Sequence, residues 1–187
     1  MANYYEAFEK FKGIEFSHSW NILHQNKGEN GLTYYGIYQS AHPAWKGWDM
    51  IKNTLRETDG NIKVASIRLS KVLWLTKRVQ KFYQEKFWDR LSLDHVTSQK
   101  IAEEMFFFYL NTGNKKRVVK YAQSIIGVKA DGILGRKTIY ALNHFDEDVF
   151  DKAYDGKEIS YYNRLVKSSP KRFARFLKGW KNRARMI

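Results

Sequence analysis

The chain has 187 residues, of which 43% are hydrophobic and 16% aromatic, and it carries a formal net charge of +14. This length fits one domain, or a main lobe with a small accessory one, and the 2 prolines and 12 glycines exclude a fibrous or low-complexity chain. The absence of cysteine excludes disulfides and thiolate metal sites. The positive charge predicts attraction to polyanions such as nucleic acid, anionic lipid or acidic cell-wall polymers.

The N-terminal segment, "MANYYEAFEKFKG", lacks the apolar stretch of a secretory signal peptide. No apolar run in the sequence approaches the ~20 residues that a membrane-spanning helix needs. We therefore expect a protein that is made in the cytoplasm without a signal peptide.

The first predicted helix covers about residues 3–13 and contains an acid where its spacing calls for an apolar residue. Tyr4, Phe8 and Phe11 recur at helical steps of four and three, and Glu15 extends the same stripe. Burying an ionised carboxylate is costly, so a carboxyl in such a place either holds a proton or gains a charged partner. Glu15 is thus a candidate general acid, or one half of an ion pair with a lysine or arginine.

The middle of the chain predicts a short polar region followed by long helices. Residues 17–43 are rich in turn formers, and "LTYYGIY" within them favours a short strand or a hairpin. An amphipathic pattern over residues 61–87 predicts one long helix, and residues 98–110 predict another. The apolar run "MFFFYL" indicates that this second helix is buried on most sides.

The C-terminal part predicts further helices over "KKRVVKYAQSIIG", residues 136–143 and residues 147–166. The last helix is expected to begin with Ser169 as its N-cap and Pro170 at the first helical position. The whole pattern predicts a mainly α fold with a small β or loop region near the N-terminus.

The final segment, "SSPKRFARFLKGWKNRARMI", is strongly basic and contains no acidic residue. At helical spacing, one face holds Phe173, Phe176 or Leu177, Trp180 and Ala184, and lysines and arginines cover the rest. Two interpretations stay open: a basic amphipathic helix that contacts an anionic surface, or an aromatic stripe that packs on the core.

Metal and nucleotide sites have little support in the sequence. The histidines lack the HExxH spacing of a helical zinc site, although His18 and His24 with Glu15 or Glu29 form a weak candidate ligand set. The "DGILG" turn lacks the lysine and hydroxyl residue of a phosphate-binding loop. We therefore expect no metal and no cofactor.

The order of several motifs resembles the muramidases of glycoside hydrolase family 108, with the peptidoglycan-binding segment that usually follows them. The motifs are "GLTYYGI", "FYQEKFWDRL", "FFFYLNTG", "AQSIIGVKADGILGRKTIYALN" and "FLKGW". These muramidases are lysozyme-like proteins of phages, prophages and some bacteria. The resemblance implies a lysozyme-like catalytic domain over residues 1–112 and a helical peptidoglycan-binding-like segment over residues 113–187, packed on it.

The resemblance places Glu15 at the family's catalytic glutamate, with a departure around it. Phe16 and Ser17 replace the two glycines of the family's E-G-G-Y motif. Residues 30–37 match the family's G-G-x-T-x-x-G-I, with Asn30 in place of the first glycine. The loop between the two motifs contains no aspartate.

The same alignment supplies the remaining candidate site residues. Glu29, or Thr33 positioning a water molecule, is the implied second catalytic group beside Glu15. Tyr35 is a candidate sugar platform, and Asn111 a candidate lining of the cleft. Tyr35 and Asn111 also admit purely structural roles.

These residues favour a peptidoglycan hydrolase that cleaves the β-1,4 bond between N-acetylmuramic acid and N-acetylglucosamine. A monomeric endolysin that reaches the wall after export or holin release is the expected setting. The altered E-G-G motif motivates an alternative, a wall-binding protein that has lost hydrolysis. Nucleic-acid binding, suggested by charge and aromatic content, has no recognised motif behind it.

Overall fold

The computed structural model describes residues 1–26 and 30–186. The chain divides into two compact units, which we call the N-terminal unit (Phe8–Glu85) and the C-terminal unit (Met1–Ala7 with Lys86–Ile187). Each unit is mainly helical, and the fold as a whole is lysozyme-like and mainly α, as predicted. Among the described residues, none of the helices combines the length and hydrophobicity needed to cross a membrane.

Helix α1 runs over Tyr4–Glu15, two residues beyond Gly13, and its apolar stripe is confirmed. Tyr4, Phe8 and Phe11 are all buried. The N-terminal unit adds a 3-10 turn and three further helices: Ser19–Asn21, α2 (Trp48–Glu57), α3 (Ile62–Leu69) and α4 (Leu73–Tyr83). In the core of this unit the Phe11 and Tyr83 rings lie 4.9 Å apart, so the end of α4 packs on α1.

The predicted hairpin is confirmed and belongs to a small antiparallel sheet. Its strands, in the order β1-β2-β3, are β1 (Leu23–His24), β2 (Thr33–Tyr34) and β3 (Ile37–Tyr38). Tyr34 pairs with Leu23 on one side and with Ile37 on the other. Tyr35 and Gly36 form the two-residue turn between β2 and β3 with φ values of 45° and 74°. Two consecutive positive φ angles are the geometry that suits a tight hairpin.

The single helix predicted over residues 61–87 is wrong: the structure breaks it after Leu69. Lys71 and Val72 donate backbone bonds only three residues back, which tightens the chain, and the Ser70 hydroxyl donates to the Ile67 carbonyl. Val72 is extended and starts α4. Because serine and β-branched residues favour such local alternatives to the helix, no glycine or proline is needed for the break. A π-helical turn, Gln84–Trp88, follows α4.

The C-terminal unit is built around a buried helix, α5 (Gln99–Thr112), whose N-cap Ser98 accepts from the Ile101 N–H. The predicted burial of "MFFFYL" is confirmed, because Met105 to Tyr109 are each at most 7% exposed. Helix α8 packs on both α5 and α6. The helices of this part are α6 (Lys115–Ile125), α7 (Arg136–Asn143) and α8 (Glu147–Ser168), preceded by 3-10 turns at Asp89–Leu91 and Leu93–His95.

The basic end of the chain is helical but interrupted. It forms α9 (Pro170–Phe173), a 3-10 turn (Ala174–Phe176) and α10 (Leu177–Ala184). Ser169 takes the N-cap position and Pro170 begins the helix, as predicted, although the Ser169 side chain makes no capping bond. Trp180 stacks on Tyr162 of α8 at 5.1 Å, whereas Phe176 is 41% exposed. The aromatic stripe is therefore packed at Trp180 and Ala184 and open at Phe176.

Candidate active site

Glu15 is the last residue of α1 and is partly exposed. Its carboxylate lies close enough to the Tyr83 hydroxyl to act on it electrostatically. Burial is the main cause that raises the pKa of Tyr83, and the negative charge of Glu15 raises it further. The acid thus lies within the N-terminal unit beside a tyrosine that stays neutral and can donate a hydrogen bond.

Tyr83 connects the neighbourhood of Glu15 to the hairpin turn. Its hydroxyl donates to the Tyr35 carbonyl at 2.6 Å. A Cβ at Gly36 would lie 2.7 Å from the same hydroxyl oxygen, so the turn has room only for glycine. The Phe16 ring, directly after Glu15, contacts the Tyr35 ring at a centroid distance of 5.0 Å. The end of α1, the end of α4 and the hairpin turn are therefore held together by one tyrosine and its aromatic neighbours.

Replacing Tyr83 with phenylalanine is expected to lower the free energy of unfolding by ~1–3 kcal/mol, because the buried Tyr35 carbonyl loses its side-chain donor. Urea denaturation followed by circular dichroism measures the change. The matched control is Tyr140→Phe, since Tyr140 is 67% exposed and its loss should be nearly neutral. Equal stability of Tyr83→Phe and wild type would show that this hydrogen bond does not hold the turn.

The other predicted site residues fall in different places. Thr33, in β2, and Tyr35 are both 7% exposed and belong to the same unit as Glu15. Glu29 lies outside the described residues. Asn111 belongs to the C-terminal unit, near the end of α5, beside the Tyr162 hydroxyl. Burial raises the pKa of Tyr162, and a hydrogen bond with Asn111 opposes this rise. The catalytic and binding roles of these residues stay predictions.

A second group of acids, in the C-terminal unit, was missed at the sequence level. Glu104 of α5 is fully buried, and its side-chain hydrogen-bond neighbour is another acid, Asp151, rather than a basic group. Burial, and then the charges of Glu158 and Asp155, raise its pKa to about 10. Burial likewise raises the pKa of Glu158 to about 8 and that of Asp155 to about 6. In this carboxyl cluster, Glu104 and Glu158 therefore hold protons at neutral pH, whereas Asp155, which is only partly buried, is mostly ionised there.

Possible cation ligands are few in the part of the chain that the structure describes. Carboxylate oxygens of Glu104, Asp151 and Asp155 lie within 4.8 Å of one another. Lys100 already pairs with Asp151 at 2.9 Å, and the raised pKa of Glu104 keeps a proton on it, so we assign a proton to this cluster. His18 stacks on Trp20, and the His24 ring contacts the Asn21 carbonyl.

Comparison with known proteins agrees with this architecture. Residues 21–113 match the family described as Glycosyl hydrolase 108, and residues 117–185 match a Predicted Peptidoglycan domain. The fold is similar to the structure of Brucella abortus SagA, with a TM-score of 0.59 and 18% identity over 97% of this chain and 92% of that one. At this identity the likeness concerns the fold alone. No curated protein matches the sequence.

These findings define the class of protein: a glycoside hydrolase that acts on peptidoglycan at the cell wall. The chain contains a glycoside hydrolase family 108 region over residues 21–113, followed by a peptidoglycan domain over residues 117–185. The family match begins at residue 21, so it includes Thr33, Tyr35 and Asn111, whereas Glu15 lies just before it.

Proposed function

We propose that this protein is a muramidase that hydrolyses the β-1,4 bond between N-acetylmuramic acid and N-acetylglucosamine, with Glu15 as the general acid. The observation that carries the proposal is the position of Glu15 beside Tyr83, whose hydroxyl holds the turn of the hairpin. A partly exposed carboxyl at the end of a helix supports a role in donating a proton to a glycan bound beside it. The family match supports glycosidic cleavage as the reaction.

In the proposed reaction, Glu15 gives its proton to the glycosidic oxygen as the bond to the anomeric carbon breaks. The sugar develops oxocarbenium character, and a water molecule then adds to the anomeric carbon and loses a proton. Glu29, or Thr33 through a positioned water, is the proposed second group. A carboxylate partner ~6.5–9.5 Å from Glu15 would give inversion, and one ~5–5.5 Å away retention. We propose Tyr35 and Asn111 as substrate contacts.

We further propose a division of labour along the chain. Residues 1–112 form the catalytic domain, and residues 113–187 hold the enzyme on the wall. The net charge of +14 suits a substrate whose stem peptides carry carboxylates. A role as a monomeric phage or prophage endolysin, released through a holin or exported, fits this arrangement. The basic C-terminal segment is a proposed contact with the anionic envelope.

Product analysis tests the proposed bond. Purified sacculi are digested, the products are reduced with borohydride, and the new reducing ends are identified by mass spectrometry. Muramitol ends are expected, because cleavage on the proposed side of muramic acid exposes its anomeric carbon. Glucosaminitol ends would indicate a glucosaminidase. Sacculi that bind the protein yet gain no reducing ends would support the alternative of a wall-binding protein without hydrolysis.

A further inference from the structure

A basic groove follows α6 of the C-terminal unit and reaches α8, well apart in sequence from Glu15. Two adjoining depressions of about 300 Å³ each share Arg117 and Tyr121 in their lining. One of them is also lined by Tyr161 and Arg164, and the other by Lys116 and Lys120. No acidic residue lines either depression, so the described walls of the groove are purely basic and neutral.

The two arginines of this groove are held in place by neutral groups. The Arg117 guanidinium lies over the Tyr161 ring, 4.5 Å from its centroid. Arg164 donates to the Tyr121 hydroxyl at 2.9 Å and to the Ser160 hydroxyl at 2.7 Å. The Tyr121 ring is itself stacked on Phe108 of the core, with centroids 5.6 Å apart. Both guanidinium groups are therefore oriented before any ligand arrives.

Neither arginine has a carboxylate partner among the residues that the structure describes. The Arg117 guanidinium contacts the Tyr161 ring, and the Arg164 guanidinium contacts the Tyr121 and Ser160 hydroxyls. A guanidinium has five N–H donors in a planar fork that matches a carboxylate or a phosphate. Two such forks, oriented and without acids of their own, leave donors directed at an anion from outside the protein.

We propose that this groove binds the carboxylates of peptidoglycan stem peptides and so holds the enzyme on its substrate. This inference rests on the proposed function, in which peptidoglycan is the substrate. Peptidoglycan is the favoured source of the anion because Arg117, Tyr121, Tyr161 and Arg164 all fall within the region that matches a peptidoglycan domain. Carboxylates repeat along a sacculus, so one groove meets many equivalent ligands.

The test is co-sedimentation with purified sacculi at 4 °C over a range of sacculus concentrations. The double variant Arg117→Gln/Arg164→Gln is expected to bind at least ten times more weakly than wild type, because two charge-assisted contacts are lost together. The matched control is Arg68→Gln/Arg78→Gln. Arg78 also lies over an aromatic ring, that of Trp74, and the variant loses the same charge outside the region that matches a peptidoglycan domain.

Equal weakening in both double variants would overturn the proposal, since net charge would then explain binding. Sacculi whose carboxylates have been amidated should bind wild type as weakly as untreated sacculi bind the groove variant. Undiminished binding to amidated sacculi would overturn the proposal, and a stronger groove-dependent binding to phosphatidylglycerol vesicles would assign the groove to phosphate instead. If circular dichroism shows that the double glutamine variant does not fold, the single variant Arg164→Lys is used instead. Arg164→Lys should bind sacculi more weakly than wild type, because lysine keeps the charge but lacks the planar fork of the guanidinium group.

The binding assay does not depend on catalysis, so the two proposals fail separately. If binding depends on the groove but no new reducing ends appear, the muramidase proposal is wrong and the proposed carboxylate site stands. If muramitol is produced but binding does not depend on the groove, the muramidase proposal stands and the proposed carboxylate site is wrong.

Discussion

The Glu15→Gln variant is expected to release reducing ends from sacculi ~100 to 10,000 times more slowly than wild type. Glutamine keeps the shape and polarity of glutamate but has no acidic proton to give the glycosidic oxygen, so bond cleavage loses its general acid. The matched control is Glu6→Gln. Glu6 lies in the first turn of the same helix, at the opposite end from Glu15, and its replacement should leave the rate nearly unchanged.

Two measurements make the Glu15 result interpretable. Sacculus binding and the urea midpoint of Glu15→Gln should match wild type, so that a lost rate reflects chemistry. A variant that retains more than about a tenth of the wild-type rate would contradict the general-acid role, given the size of a typical acid contribution. Background rates in both wild type and variant would favour the protein that only binds the wall.

The helices and the hairpin follow from local patterns that the sequence displays. The stripe of Tyr4, Phe8 and Phe11 predicted α1, and the β-forming residues around Tyr35 and Gly36 predicted the turn. The break after Leu69 could not be predicted, because it depends on a serine hydroxyl and a 3-10 turn that leave no mark in the apolar periodicity. The local sequence pattern therefore predicts where helices and strands form, but it does not predict where a long helix is interrupted.

The candidate site was only partly visible in the sequence. The position of Glu15 in an apolar stripe marked it, but nothing in the sequence joined it to Tyr83, which lies 68 residues further along the chain. The buried carboxyl cluster had a signal of the same kind. Glu158 continues the stripe of Phe150 and Tyr154 at steps of four, just as Glu15 continues that of Phe8 and Phe11. The same criterion, an acidic residue that continues an apolar stripe, therefore marks both Glu15 and Glu158.

The Glu104→Gln variant is expected to be more stable than wild type at neutral pH, by about 3 kcal/mol at pH 7. In the folded protein the pKa of Glu104 is raised from 4.5 to about 10, chiefly by burial. Below about pH 4 the carboxyl is protonated in both folded and unfolded chains, so its contribution to stability is fully retained. As pH rises above this range, the unfolded chain releases the proton and the folded chain keeps it. Wild type thus loses ~1.4 kcal/mol for each pH unit up to the folded pKa.

Urea denaturation at two pH values measures this effect. The stability gain of Glu104→Gln over wild type should grow from about 1 kcal/mol at pH 5 to about 5 kcal/mol at pH 8, because glutamine has no proton to lose. Glu103→Gln is the matched control, since it makes the same change one residue earlier on α5. Glu103 is also buried, but it accepts a hydrogen bond from Gln99 and lies outside the cluster.

A loss of stability in Glu104→Gln at pH 8 would contradict this account of the cluster. It would mean that Glu104 is ionised in the folded protein and compensated by a positive charge, either a bound cation or a basic side chain. Repeating the measurement with a chelator would separate these two cases, because only a bound cation is removed by it. A gain that grows with pH and is indifferent to chelator would instead establish that a strongly basic protein holds protonated acids in its core.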